Sequence, residues 1–412
     1  MLQCKTKWKK KKLGNLGYTY SGLSNKTIDD FGSGEDFIPY MNIYKNSIIK
    51  IDKFEQVKIG LNEHQNQVQS GDVFFTTSSE TPEEVGLTSV LIDRIDKPLY
   101  LNSFCFGFRL NDNNEFNNTF LAYLLRGESV RLQISKMAQG STRYNLSKTQ
   151  LLNKLNLYYP NDKNEQEKIS RVLSTCDEVI EKTEETIEKY KQIKAGMMQD
   201  LFTRGLDANG KLRPTYTQAP DLYKYSKELD RHIPKEWDVK RLDEIGEMKS
   251  GDGITAKNIF ITGMYPVYGG NGLRGYTSNY THEGEYVLIG RQGALCGNIN
   301  KASGKFFASE HAVVVTLYDD NNVDWVFYKY TDLNLNQYSE ASAQPGLSVQ
   351  KISKIKIDIP KGPEQKNISI RLNLVDKKIK LEAEYLNKYK QIKQGLMKRL
   401  LTPPADAEIV EE

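Results

Sequence analysis

The chain has 412 residues, 38% of them hydrophobic and 27% charged, with a formal net charge of +4. That length gives room for two or three domains, each able to bury a core. The near-neutral balance excludes a polycationic coat protein, and the lack of any run of about 18 apolar residues leaves no expected membrane span. Four cysteines, Cys4, Cys105, Cys176 and Cys296, are scattered without a CxxC pair. With no export signal in view, they read as reduced thiols, and a cytoplasmic location is expected.

In chain order, the start carries Lys5, Lys7, Lys9, Lys10, Lys11 and Lys12, either a solvated arm or part of a basic face. The stretches VFFTTSS, SVLIDRI and SFCFGFRL read as short strands, and FLAYLLRGESVRLQI has helical spacing. A glycine-bearing loop, QGSTRYNLS, follows. These elements make a first globular domain over 1–160.

From Glu165 to Thr203 the apolar residues fall at Ile169, Leu173, Cys176, Ile180, Ile187 and Tyr190, a 4-3 alternation interrupted only at Thr183. That is the spacing of a coiled-coil helix. At 1.5 Å per residue such a rod is roughly 57 Å long. It is assigned to 161–205. A linker rich in Gly, Pro, Asn and Lys is expected over 206–233.

A second globular domain, 234–360, has strands in EYVLIGRQG and HAVVVTL and a helix in VDWVFYKYTDL. A second rod, 361–402, repeats the seam with Ile368, Leu372, Val375, Ile379, Leu386 and Tyr389, and an acidic tail, 403–412, is expected to fray. The segments 165–203 and 364–402 are identical at 18 of 39 positions without a gap. Trp8, Leu13, Gly17, Ser21 and Gly22 recur as Trp237, Leu242, Gly246, Ser250 and Gly251, so the chain is a tandem duplication. The expected fold class is α+β: two mixed α/β domains joined by two long antiparallel coiled-coil helices. Between the frames the two halves diverge, and YPVYGGNGLRGY has no counterpart in the first half.

Catalytic motifs are mostly lacking. Gly270 to Gly275 fits GxGxxG, but no helix follows it, so dinucleotide binding is not expected. No P-loop occurs, and the four histidines show no metal-ligand spacing. Pro220-Asp221 with Glu247-Met248-Lys249 is a loose nuclease-like arrangement, and a self-contained nuclease is the alternative it leaves. What remains is a binding inventory on loops: Arg143, Tyr144 and Asn145 in one half, Asn271, Arg274, Arg291 and Gln292 in the other. Arg, Asn and Gln are the side chains that read guanine and adenine edges in the major groove. Tyr265, Tyr268, Tyr276 and Tyr280 interleave with them.

The chain resembles the specificity subunit of type I restriction-modification enzymes. The resemblance rests on IPKEW followed by LDEIG, YPVYGGNGLRGY, YVLIGRQGALCG with SEHAVVV, GSTRYNLS, and two copies of EQxxISxxLxxxD leading to KQIKxGxMxxL. The first half departs from the pattern in lacking Ile-Pro before Trp8. The resemblance implies two target-recognition domains that read the halves of a split double-stranded DNA sequence, with the paired helices setting the gap. It implies two methyltransferase subunits carrying S-adenosylmethionine, and restriction/motor subunits using ATP and magnesium, as partners of a non-catalytic chain. From their spacing, Ile169, Leu173, Ile180, Ile187, Ile368, Leu372, Ile379 and Leu386 are the seam residues expected to pair the two helices.

Overall fold

The computed structural model describes residues 7–293, 296–318, 321–339 and 346–411, which leaves out Cys4 and Lys5. The chain divides into two compact units, Met1–Glu184 with Tyr385–Glu412, and Glu185–Glu384. The division falls within both long helices, Lys163–Thr203 and Gly362–Leu400, so each helix contributes to both units.

In the first unit a four-stranded antiparallel sheet runs Gly17–Ser21, Cys105–Leu110, Val73–Thr76, Thr88–Val90. Val73 and Phe75 point into a core shared with the helices Asn118–Arg126 and Glu128–Met137, while Phe74 points into a second core on the other face. This two-sided burial is why VFFT is apolar throughout rather than alternating. The single helix expected over this region is two, broken at Gly127, whose backbone is extended at φ −65° and ψ 151°. Just before the break, the partly buried Arg126 guanidinium donates to the carbonyls of Thr88, Ile43, Tyr44 and Asn46. A smaller sheet sets Phe31–Ile38 between Glu55–Val57, antiparallel, and Leu99–Leu101, parallel.

The lysine-rich start is a strand, Lys7–Lys12, not a solvated arm. It pairs antiparallel with Asn156–Pro160 and parallel with Glu408–Glu411. Lys10 and Lys11 reach Glu411 and Glu115 at 2.6 and 3.2 Å. Glu408–Glu411 of the acidic tail is therefore paired with a basic strand rather than frayed, because opposite charges meet across the ladder.

The second unit repeats this plan. Gly246–Ser250, Ala312–Leu317, His282–Gly290 and Ile299–Ala308 are adjacent in its six-stranded sheet. Tyr265–Gly269 lies between Gly272–Thr277, antiparallel, and the end of Ile299–Ala308, parallel. YPVYGGNGLRGY thus has a structural counterpart after all, in Phe31–Ile38 and Glu55–Val57. The likeness is invisible in the sequence because only the pairing, not the side chains, is kept. The stretch 206–233, expected as a linker, holds a hairpin of Tyr223–Ser226 with Arg231–Pro234. Arg213 within it donates to Glu364, which also accepts from the Trp237 indole.

The two long helices run antiparallel in each unit. In the first, Lys390 meets Glu184 at 2.7 Å and Lys393 meets Asp177. In the second, Lys194 meets Asp376 at 2.7 Å, and the Lys378 ammonium lies 5.5 Å from the centre of the Tyr190 ring. Ile169 and Leu173 are buried in the first core beside Leu396, Met397, Leu400 and Leu401. Ile368 and Leu372 are buried in the second beside Leu201, Phe202, Met197 and Met198. Ile180, Ile187, Ile379 and Leu386 are half-buried along the same stripes. Polar Thr183 is also buried on the seam, and its hydroxyl donates to the Val179 carbonyl at 2.7 Å, which satisfies it within its own helix.

Candidate nucleic-acid interface

The loop QGSTRYNLS closes on itself by reciprocal backbone bonds between Gln139 and Asn145, at 3.0 and 2.8 Å. Gly140 makes the closure possible: its φ is +133°, and a Cβ there would stand 2.1 Å from the Arg143 carbonyl oxygen. Tyr144–Asn145 then pairs antiparallel with Ser78–Ser79. Leu146 is buried as an anchor, and Ser147 caps the helix Lys148–Lys154. Arg143 and Asn145 are left exposed, with Tyr144 half-buried between them.

In the second unit the same joint is built from different residues. Leu347, the equivalent of Leu146, is buried and donates its backbone N–H to the Arg291 carbonyl at 2.9 Å, as Leu146 does to Thr77 at 3.0 Å. Gln292 bridges to Gly346 just as Ser78 pairs with Asn145. Arg291 and Gln292 therefore occupy the places of Thr77 and Ser78.

Asn271 sits in the two-residue turn that joins Tyr265–Gly269 to Gly272–Thr277. A Cβ on Gly270 would come within 3.0 Å of the Gln292 carbonyl oxygen and 3.3 Å of that of His311, so the turn lies against the Arg291 strand end. Asn271 Oδ1 accepts from Asn298 at 3.4 Å. Arg274 is in a strand and not a flexible loop, its aliphatic stem against Gly269. Asn271, Arg274, Arg291 and Gln292 thus come together in one region. Strand, turn and strand surround Gly270 to Gly275, which is not the setting of a dinucleotide site.

The repeated frame explains one further placement. Ser250 accepts from Arg291 Nη1 at 3.0 Å, and its equivalent Ser21 accepts from Lys148 Nζ at 3.0 Å. Each unit thereby fixes a cation at the same point of its frame, taken from a strand end in one and a helix start in the other. Lys148 also covers the Phe106 ring, and burial pushes its pKa down. Nothing local in the sequence marks Lys148 for this place. Of the tyrosines, Tyr268 packs edge-on to Phe306 and burial raises its pKa, while Tyr265 and Tyr280 contact each other with centroids 5.0 Å apart.

The nuclease-like residues do not assemble. Pro220 begins a short turn, and Glu247 and Lys249 pair with each other at 2.7 Å along one strand. Among the described residues no group of three His, Cys, Asp or Glu side chains is placed to hold a metal ion. No helix among them is long and apolar enough to cross a membrane.

Residues 5–192 and 234–391 match the family described as the type I restriction modification DNA specificity domain. The chain belongs to that family. A stretch of 141 residues is 47% identical to the type I restriction enzyme EcoprrI specificity subunit of Escherichia coli, covering 33% of this chain and 35% of that one. Another of 129 residues is 32% identical to a putative type I restriction enzyme specificity subunit of Haemophilus influenzae, covering 30% and 33%. The chain thus spans about a third of the length of these two relatives. A putative type I specificity subunit of Mycoplasma genitalium is 22% identical over 336 residues, 80% of this chain and 82% of that one. The fold is that of the type I restriction-modification S subunit crystal structure from M. genitalium, at a TM-score of 0.60 and 18% identity over 98% of this chain and 99% of that one.

Proposed function

We propose that this chain is the non-catalytic DNA-specificity subunit of a type I restriction-modification complex. Each unit reads one half of a split double-stranded target. The observation that carries the reading is the shared joint with exchanged side chains: Asn145 against Ser78 in one unit, Gly346 against Gln292 in the other, each beside a cation held by the frame serine. A common scaffold with different exposed donors and acceptors is what two different base sequences require. Lysine and arginine contacts to phosphate supply most of the affinity, which then falls as salt rises.

The long helices set the gap between the half-sites and dock two methyltransferase subunits. Exposed apolar side chains on the helices favour this second role, among them Ile193 and Ile392, which are equivalent in the repeat and 41% and 45% exposed. S-adenosylmethionine, ATP and magnesium belong to the methyltransferase and restriction/motor subunits. Selection of bound duplexes from a random library by the whole chain tests the reading. Enrichment of one motif in two parts with a constant gap is expected. A bound pool with no motif would overturn it.

A further inference from the structure

Beside Arg143 the first unit has a cleft of about 720 Å³ lined by Tyr40, Tyr44, Ser79, Glu84, Thr142 and Arg143. Tyr40 and Tyr44 stack, with centroids 6.0 Å apart and planes at 21°. Their hydroxyls are committed. Tyr40 donates to the Ser78 carbonyl at 3.1 Å, which ties the wall to the strand that pairs with Tyr144–Asn145, and Tyr44 donates to Glu84 Oε1 at 2.7 Å.

That second bond fixes the carboxylate and leaves Glu84 Oε2 without a partner among the described residues. Arg143 is exposed across the same cleft and makes no ion pair with Glu84. Arg143 and Glu84 line one cleft without meeting each other, with the exposed Glu80 as a second carboxylate on its rim, and so present a donor fork and a tyrosine-fixed acceptor separately. A carboxylate on a surface that meets phosphates is repelled by them. It is useful there only if it accepts a hydrogen bond from an amino group, so it contributes discrimination rather than affinity.

On the reading given above, we infer that this cleft recognises a G·C pair through the major groove, Arg143 donating to guanine and Glu84 accepting from the cytosine amino group. The major-groove edge of that pair offers the matching pattern: guanine O6 and N7 accept, cytosine N4 donates. The Tyr40–Tyr44 wall sets the depth to which the edge enters.

The test is library selection with the whole chain and with Glu84→Gln, Arg143→Ala and Tyr44→Phe. In wild type, one half of the motif should contain a G·C pair. Glu84→Gln should lower its preference over A·T roughly tenfold while leaving the other half-site unchanged. Arg143→Ala should relax the same pair or its neighbour. Tyr44→Phe keeps the carboxylate but frees its rotation, and should weaken the preference less. An unchanged motif in Glu84→Gln, or an equal loss on every sequence, overturns the inference and leaves the specificity-subunit reading standing. A wild-type pool without any motif instead removes that reading, and this one with it.

Discussion

Lys194 lies 2.7 Å from Asp376, and the same carboxylate accepts from the Tyr328 hydroxyl at 2.6 Å. The first unit repeats the arrangement with Lys393, Asp177 and Tyr123, the last two 2.8 Å apart. In both, one long helix supplies the carboxylate, the other the lysine, and a globular helix the tyrosine. The ammonium also sits over the tyrosine ring, 5.0 Å from its centre in one unit and 5.3 Å in the other. Burial first and the carboxylate second push both tyrosine pKa values up, so both hydroxyls stay protonated donors.

This trio fastens the helix pair to each globular core. Tyr328→Phe and Tyr123→Phe should each cost about 1 kcal/mol in denaturant unfolding. A double-mutant cycle of Tyr328→Phe with Lys194→Met should show a coupling of about 0.5 kcal/mol or more. Strict additivity would mean that the lysine contributes nothing through the tyrosine.

Lys329 and Asp358 are an ion pair at 2.8 Å with side chains 4% and 0% exposed, and Arg231 shares the same carboxylate oxygen at 2.8 Å. Asp358→Ala removes the carboxylate hydrogen-bonded to the buried Lys329 ammonium, and should cost about 3–5 kcal/mol. Replacing both residues with apolar ones of similar size should cost less than the single change. Urea midpoints of the three proteins check this.

Gly22 and Gly251 are equivalent in the repeat and crowded in the same way. A Cβ would stand 2.1 Å from the Asn102 carbonyl oxygen at one and 2.2 Å from that of Ala308 at the other. Either Gly→Ala change should cost about 1–3 kcal/mol through overpacking. Gly253→Ala, with nothing within 4 Å, is the control and should be nearly neutral. Thermal unfolding of the three variants distinguishes them.

His282 stacks on Phe306 at 16°, and burial lowers its pKa below the usual 6.5, with the Asp252 carboxylate opposing. Between the folded value and 6.5 the unfolded chain binds more protons, so stability rises with pH across that interval. The contribution is complete above 6.5 and is lost as pH falls through 6.5 toward the folded value. His282→Asn should therefore lose less stability than wild type between pH 7.5 and pH 5.5. Equal losses would show that the ring does not govern this dependence.

Arg291→Ala removes the cation that Ser250 holds. It should relax recognition of one half-site by about 1–3 kcal/mol and spare the other. Competition binding with single base-pair changes measures this. A uniform loss on all duplexes would make Arg291 a phosphate contact instead.

The duplication, the two long helices and the glycine-bearing loop were legible in the sequence, because each leaves a local mark: a 3.5-residue seam, a repeated word, a turn that only glycine allows. So were Arg143, Asn271, Arg274, Arg291 and Gln292 as candidates, since their chemistry is local too, although Arg274 proved to lie in a strand and not a loop. That Thr77 and Ser78 in one unit stand where Arg291 and Gln292 stand in the other was decided only by strand pairing, which preserves backbone bonds and not side chains. The strand character of Lys7–Lys12 depended on Asn156–Pro160 and Glu408–Glu411, both far from it along the chain. Lys148, Tyr44 and Glu84 gained their meaning in the same way. A side chain's partners are set by what distant segments bring against it, and no window of sequence contains that.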